Sequence, residues 1–147
     1  MRIYVFGAGA LGSAIGGMLS RGHEVTLIGR RAHVSAIKRS GLLLTGKVEL
    51  RCRPNACMTV RGLPPPDILI VTTKAYDTAD AVAACKAWTG AETSVLTLQN
   101  GIGNLELLRA WKGNRAFGGT TSMGATLVSP GVVRVAGFGT TTMPGRT

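Results

Sequence analysis

An apolar run that opens directly onto clustered glycines constrains this chain more than any other feature. Arg2-Ile3-Tyr4-Val5-Phe6 is rich in β-formers and reads as a buried strand. Gly7-Ala8-Gly9-Ala10-Leu11-Gly12 follows at once, and Leu11 to Leu19 then carries small and apolar residues at helical spacing. Strand, G-x-G-x-x-G turn and helix, in that order, begin a βαβ unit of the dinucleotide-binding, Rossmann type. Gly7 allows the tight turn, Gly9 lets a pyrophosphate approach the backbone, and Gly12 lets the helix pack close to the strand. The unpaired N–H groups of the helix start, aided by its dipole, suit an anion. Ala8, Ala10 and Leu11 lie inside the turn and are counted with the glycines as cofactor contacts. Glycine is common, so the spacing alone is a weak signal; its weight comes from the flanking strand and helix.

Gly22 fits the C′ position that closes this helix, and Glu24 to Ile28 forms the second strand. The end of that strand selects the cofactor. Folds that bind NAD place an Asp or Glu there to bond the ribose 2′-hydroxyl. Here Ile28-Gly29 leads to Arg30, with no acid in reach. A guanidinium can stack on adenine and make charge-assisted bonds to a 2′-phosphate, so the expectation is NADPH/NADP+ over NADH. Arg31 is a second candidate for that phosphate, and a solvated loop cation is an equal reading of it.

Beyond this point strands and helices alternate. Ala32 to Arg39 reads as a short helix stopped by Gly41. Leu42 to Leu44 and Val48 to Arg51 read as short strands, a hairpin around Gly46. The stretch from Arg53 to Pro66 reads as irregular. Ile68 to Thr72 is a strand, Thr78 to Trp88 a helix, and Ser94 to Leu98 a strand. Asn104 is a plausible N-cap for a helix over Leu105 to Trp111. Ala116 to Thr142 is rich in Thr, Val and Gly, with a hairpin turn at Pro130-Gly131. The pattern implies an α/β class fold: a doubly wound, mostly parallel sheet with extra C-terminal strands, as one dinucleotide-binding domain over residues 1–147.

Composition narrows the function. A length of 147 residues with 45% hydrophobic and 16% charged residues suits one globular domain. No apolar run reaches the roughly 18–20 residues of a membrane span, and the N-terminal strand is too short for a signal peptide, so a cytoplasmic location is expected. Three cysteines without a C-x-x-C pattern, and two histidines, point to no disulfide framework and no metal site. The formal charge of +10 raises nucleic acid as a partner. The basic residues are dispersed, however, and match no nucleic-acid-binding motif, so a solvated basic surface with a phosphate site is preferred.

Two further motifs leave strands at the edge where open α/β sheets bind ligands. Thr73-Lys74-Ala75-Tyr76-Asp77-Thr78 offers Lys74, which taken alone is as well a surface lysine. Leu98-Gln99-Asn100-Gly101-Ile102-Gly103-Asn104 offers Asn100, which taken alone is as well a turn asparagine. Together with the glycine turn, Gly29-Arg30-Arg31-Ala32-His33, Gly119-Thr120-Thr121 and Pro130-Gly131-Val132-Val133, they run in an order that resembles the N-terminal domain of the ketopantoate reductase (2-dehydropantoate 2-reductase) family.

The resemblance implies that Gly7 to Gly12 bind the pyrophosphate and Arg30 the 2′-phosphate end. It implies that Lys74 and Asn100 contact cofactor, Asn100 also lies near substrate, and Gly124 meets the nicotinamide half. The reaction it implies is NADPH-dependent reduction of ketopantoate to (R)-pantoate, on the way to pantothenate and coenzyme A. The family's general acid is a lysine of a second, helical domain, to which this sequence has no counterpart, so no catalytic residue is assigned here. The expected partner is therefore a small 2-keto acid held with the help of that helical domain. Without the domain, turnover is not expected, and an exposed docking face would favour self-association. The alternatives are a self-contained NADP(H)-binding sensor or partner module, and a reductase of another 2-keto acid.

Overall fold

The computed structural model describes residues 1–74, 77–99 and 103–143. Its first strand, β1 (Arg2–Phe6), runs into α1 (Ala10–Leu19) and returns as β2 (Glu24–Ile28). α2 (Arg31–Ser40) leads to the hairpin β3 (Leu42–Gly46) and β4 (Leu50–Cys52), and then to β5 (Asn55–Cys57). β6 (Ile68–Val71), α3 (Thr78–Lys86), β7 (Ser94–Thr97), α4 (Asn104–Lys112) and β8 (Ala116–Gly118) follow. β9 (Thr120–Thr121), β10 (Gly124–Ser129), β11 (Val132–Gly137) and β12 (Thr141–Thr142) complete the described elements.

Six strands form one all-parallel sheet in the order β5-β2-β1-β6-β7-β8. This is the 3-2-1-4-5-6 order of the Rossmann fold. The alternation along β1 divides the core. Ile3 and Val5 join the cluster on the α1 face, while Tyr4 joins the cluster on the α3–α4 face and Phe6 packs against it. β6 repeats the division, with Ile70 on the first side and Leu69 and Val71 on the second.

α1 is sandwiched between this sheet and a second one, ordered β10-β11-β3-β4. Two adjacent glycines make that possible. A Cβ on Gly16 would run into Leu27 of the main sheet, and one on Gly17 would lie 2.9 Å from Leu42 of the second. Leu27, Leu42 and Leu44 are fully buried around the helix, each contributing about 1.5–3 kcal/mol by leaving water.

Several expectations shift in detail. The C-terminal strands do not all extend the main sheet: β8 joins it, β10 and β11 join the β3–β4 hairpin, and β9 pairs with β12. The stretch read as irregular contains β5, an edge strand whose three residues pair with Thr26 to Ile28. Gly22 is not a left-handed cap. α1 ends at Ser20, whose hydroxyl donates to the Gly17 carbonyl at 2.6 Å. Asn104 is the first residue of α4 rather than its cap; Gly103 precedes it with φ 95°, and the buried Asn104 Oδ1 accepts from Thr78 Oγ1 at 2.8 Å. Pro130-Gly131 turns β10 into β11 as expected, with Gly131 at φ 81°.

Candidate cofactor site

The strand order reverses between β1 and β6, so the loops leaving their C-terminal ends part and open a crevice. Its volume is about 470 Å³, and its walls come from the glycine turn, the Gly29–Arg30 segment and Thr72-Thr73-Lys74.

The glycine turn is held by the strands around it. The N–H groups of Gly7 and Ala8 both donate to the Ile28 carbonyl, at 3.1 and 2.9 Å, and Gly9 N–H donates to Gly7 O at 2.8 Å. Thr72 Oγ1 donates to Gly7 O at 2.8 Å, tying the turn to the end of β6. Gly7 has φ 105°, and a Cβ there would sit 2.6 Å from the Thr73 nitrogen. A Cβ on Gly12 would collide with Gly7 O and Thr72 Oγ1. Gly9 differs: it is exposed, and a Cβ on it would meet nothing within 4 Å. Two glycines of the motif thus serve close packing, and the middle one leaves open space against the helix start.

α1 begins at Gly9 with no side-chain cap, and α2 begins at Arg30 with none either. The first turn of each carries no acidic residue. First-turn N–H groups have no partner within a helix, so two positive helix ends face this region without a side-chain counterpart. Such a set of groups could hold the anionic phosphates of a dinucleotide.

The expected residues divide. Gly7, Ala8, Gly9, Arg30 and Lys74 line the crevice together, and the Arg30 and Lys74 side chains are exposed. Ala10 and Leu11 are half-buried in the first turn of α1, and Gly12 is buried. Arg31 is the exposed first residue of α2, outside the crevice wall. Gly124 begins β10 opposite Gly137, also outside that wall. Asn100 lies outside the described residues.

Thr72, Asp77, Met58 and Leu127 also line the crevice; Asp77 belongs to the motif that offers Lys74, while Met58 and Leu127 carry no signal in the sequence. Gln99, beside Asn100 in the second motif, carries a structural role that its sequence position does not signal. Its Nε2 donates to Thr73 O at 2.6 Å and to Thr78 Oγ1 at 2.8 Å, while its Oε1 accepts from Thr97 Oγ1 at 2.9 Å. One amide therefore ties the loop bearing Lys74 to the end of β7. A larger apolar groove, of about 560 Å³, lies elsewhere, beside α1 over β6 to β8, and has none of this phosphate chemistry.

Among the described residues no group of three or more His, Cys, Asp or Glu side chains could hold a metal ion. No helix among them is long and apolar enough to cross a membrane.

Residues 3–146 match the family model described as ketopantoate reductase PanE/ApbA. The chain is 46% identical over 142 residues to the 2-dehydropantoate 2-reductase of Pyrococcus horikoshii, covering 96% of this chain and 46% of that protein. Among solved structures, a PanE/ApbA family ketopantoate reductase from Ralstonia eutropha superposes with a TM-score of 0.88 at 34% identity, over 93% of this chain and 47% of that one. A D-mandelate dehydrogenase solved with NADH and anilino(oxo)acetate superposes with a TM-score of 0.87 at 31% identity, over 96% and 47%. The chain thus spans just under half the length of the relatives it matches.

Proposed function

The chain belongs to the ketopantoate reductase PanE/ApbA family, and from that premise we propose that it is the NADPH-binding part of a reductase of the 2-dehydropantoate 2-reductase type. The supporting observation is one crevice that combines an uncapped glycine-turn helix, Arg30 at the end of β2 and Lys74 at the end of β6. Gly7 to Gly12 would hold the pyrophosphate, Arg30 the 2′-phosphate with Arg31 beside it, and Lys74 further cofactor oxygens. Asn100 and Gly124 would serve the nicotinamide half, with Asn100 close to the substrate. Bound there, the dihydronicotinamide would supply a hydride to the keto carbon of a small 2-keto acid, ketopantoate in the family's reaction.

What the chain's own residues contribute is binding and orientation. The turn and the two loops fix the cofactor against the sheet edge. No residue here is assigned the proton donation that a ketone reduction also needs. Residues 1–147 are read as one cofactor-binding domain that holds NADPH and does not turn over ketopantoate by itself. The D-mandelate dehydrogenase neighbour, with NADH and an oxo acid, gives weight to a second reading: the same fold serving NADH and another 2-keto acid. Arg30, where an acid would favour NADH, argues for NADPH. The purified chain incubated with NADPH and ketopantoate tests the turnover claim. No NADPH oxidation above background is expected, and sustained oxidation dependent on ketopantoate would contradict it.

A further inference from the structure

We propose that His33 is a positioning residue that sets the spacing between the two helix ends that receive NADPH, and so supports the preference for a 2′-phosphorylated cofactor. The inference rests on the cofactor reading above.

His33 is buried in the first turn of α2, three residues beyond Arg30. Its Nε2 lies 2.8 Å from the hydroxyl of Ser13, which is fully buried in α1 directly after Gly12. Its Nδ1 accepts from the Gly131 N–H at 2.9 Å, on the turn between β10 and β11. A backbone N–H can only donate, so Nδ1 carries the lone pair and Nε2 carries the proton, which it donates to Ser13 Oγ. One neutral imidazole therefore joins the pyrophosphate helix, the Arg30 helix and the second sheet. Burial pushes its pKa below the ordinary 6.5. The elements packed against it carry no acid to oppose that shift: α1 has no titratable side chain, β10 and β11 contribute only Arg134, and α2 with its cap contributes only cations besides His33 itself.

A ligand that touches only α1 is indifferent to where α2 begins. NADPH is not, because its pyrophosphate and its 2′-phosphate need both helix starts at a fixed separation. His33 and Ser13 bridge those starts behind the crevice, and His33 also reaches its wall. Among the described residues, the Ser13–His33 contact alone joins side chains of α1 and α2 by a hydrogen bond.

Three conservative variants separate the two bonds. Ser13→Ala removes the acceptor. His33→Asn keeps a polar atom at the Nδ1 position, and His33→Gln keeps one at the Nε2 position. Isothermal titration of the whole chain with NADPH and with NADH is the readout, with a cooperative thermal transition confirming that each variant folds. Ser13→Ala and His33→Asn are expected to weaken NADPH about three- to tenfold, the scale of one lost buried hydrogen bond. NADH should change much less. The double variant should be no worse than the weaker single, because both break the same bond. His33→Gln should keep more of the preference than His33→Asn. A wild-type preference for NADPH that every variant retains, even with lowered thermal midpoints, overturns the inference and leaves the cofactor reading standing. A wild type without any preference overturns the cofactor reading and this inference with it.

Discussion

Buried titratable side chains limit the pH range over which the fold is most stable, His33 on the acid side and Cys85 on the alkaline side. His33 is held neutral by burial, with a pKa below its ordinary 6.5. Cys85, fully buried on α3, has its thiol pushed from 9.0 up to about 12 by burial. As pH falls below 6.5 the unfolded chain takes up a proton at His33 before the native state does, so stability is lost on acidification. Above pH 9 the unfolded chain ionises Cys85 while the native state keeps its proton, so stability is lost there too. Calorimetric thermal midpoints are therefore expected to form a plateau between these limits and to fall on both sides. Cys85 should also stay unlabelled by a thiol reagent at neutral pH until the chain is unfolded, with the half-buried Cys52 and Cys57 reacting slowly. Rapid native labelling of all three thiols would contradict this burial.

At the scale of elements, the two loops that leave β6 and β7 behave as one unit through Gln99. Its amide bridges Thr73, Thr78 and Thr97, and Thr78 continues the chain of bonds to Asn104 on α4. Gln99→Leu is expected to cost about 1–3 kcal/mol in denaturant unfolding, because these partly buried groups lose their partner. It should also weaken NADPH binding by freeing the loop that carries Lys74. Unchanged affinity in the folded variant would remove Gln99 from the positioning of that loop. The bridge was not legible in the sequence, since its partners at Thr73 and Thr78 lie 26 and 21 residues away. The placement of the glycine turn and Arg30 at the crevice was legible because it follows from local order: strand, turn, helix, strand end. β5 was hidden for the opposite reason. Three residues after Pro54 carry too little pattern, and only pairing with β2 makes them a strand. Gly22 and Asn104 fit common capping preferences that the chain does not use. The Ser20 hydroxyl and the backbone N–H groups of Gly22 and His23 close α1 without a left-handed glycine, and Asn104 bonds Thr78.

For the molecule as a whole, the main sheet is covered unevenly. Among the described residues, α3 and α4 pack on one face, while on the other α1 covers β1 and β2 and an apolar groove remains over β6 to β8. Ile15, Met18, Ile70, Leu96, Met123 and Met143 are among its walls. Parallel sheets are ordinarily covered on both faces, so a groove of this kind favours association. The purified chain is expected to self-associate with a second copy through it as concentration rises in sedimentation velocity, and Phe117→Asp at its rim should weaken that association. A wild type that stays monomeric at every concentration would contradict it. The groove and the crevice are separate, so association should leave cofactor affinity unchanged. Under the proposed function this chain holds NADPH and recognises its 2′-phosphate through Arg30. Calorimetric titration of the wild type and Arg30→Ala with NADPH and NADH decides this. The wild type should bind NADPH more tightly than NADH, and Arg30→Ala should lose about 1.5–3 kcal/mol for NADPH with little change for NADH. Equal loss for both cofactors, or no preference in the wild type, would contradict it.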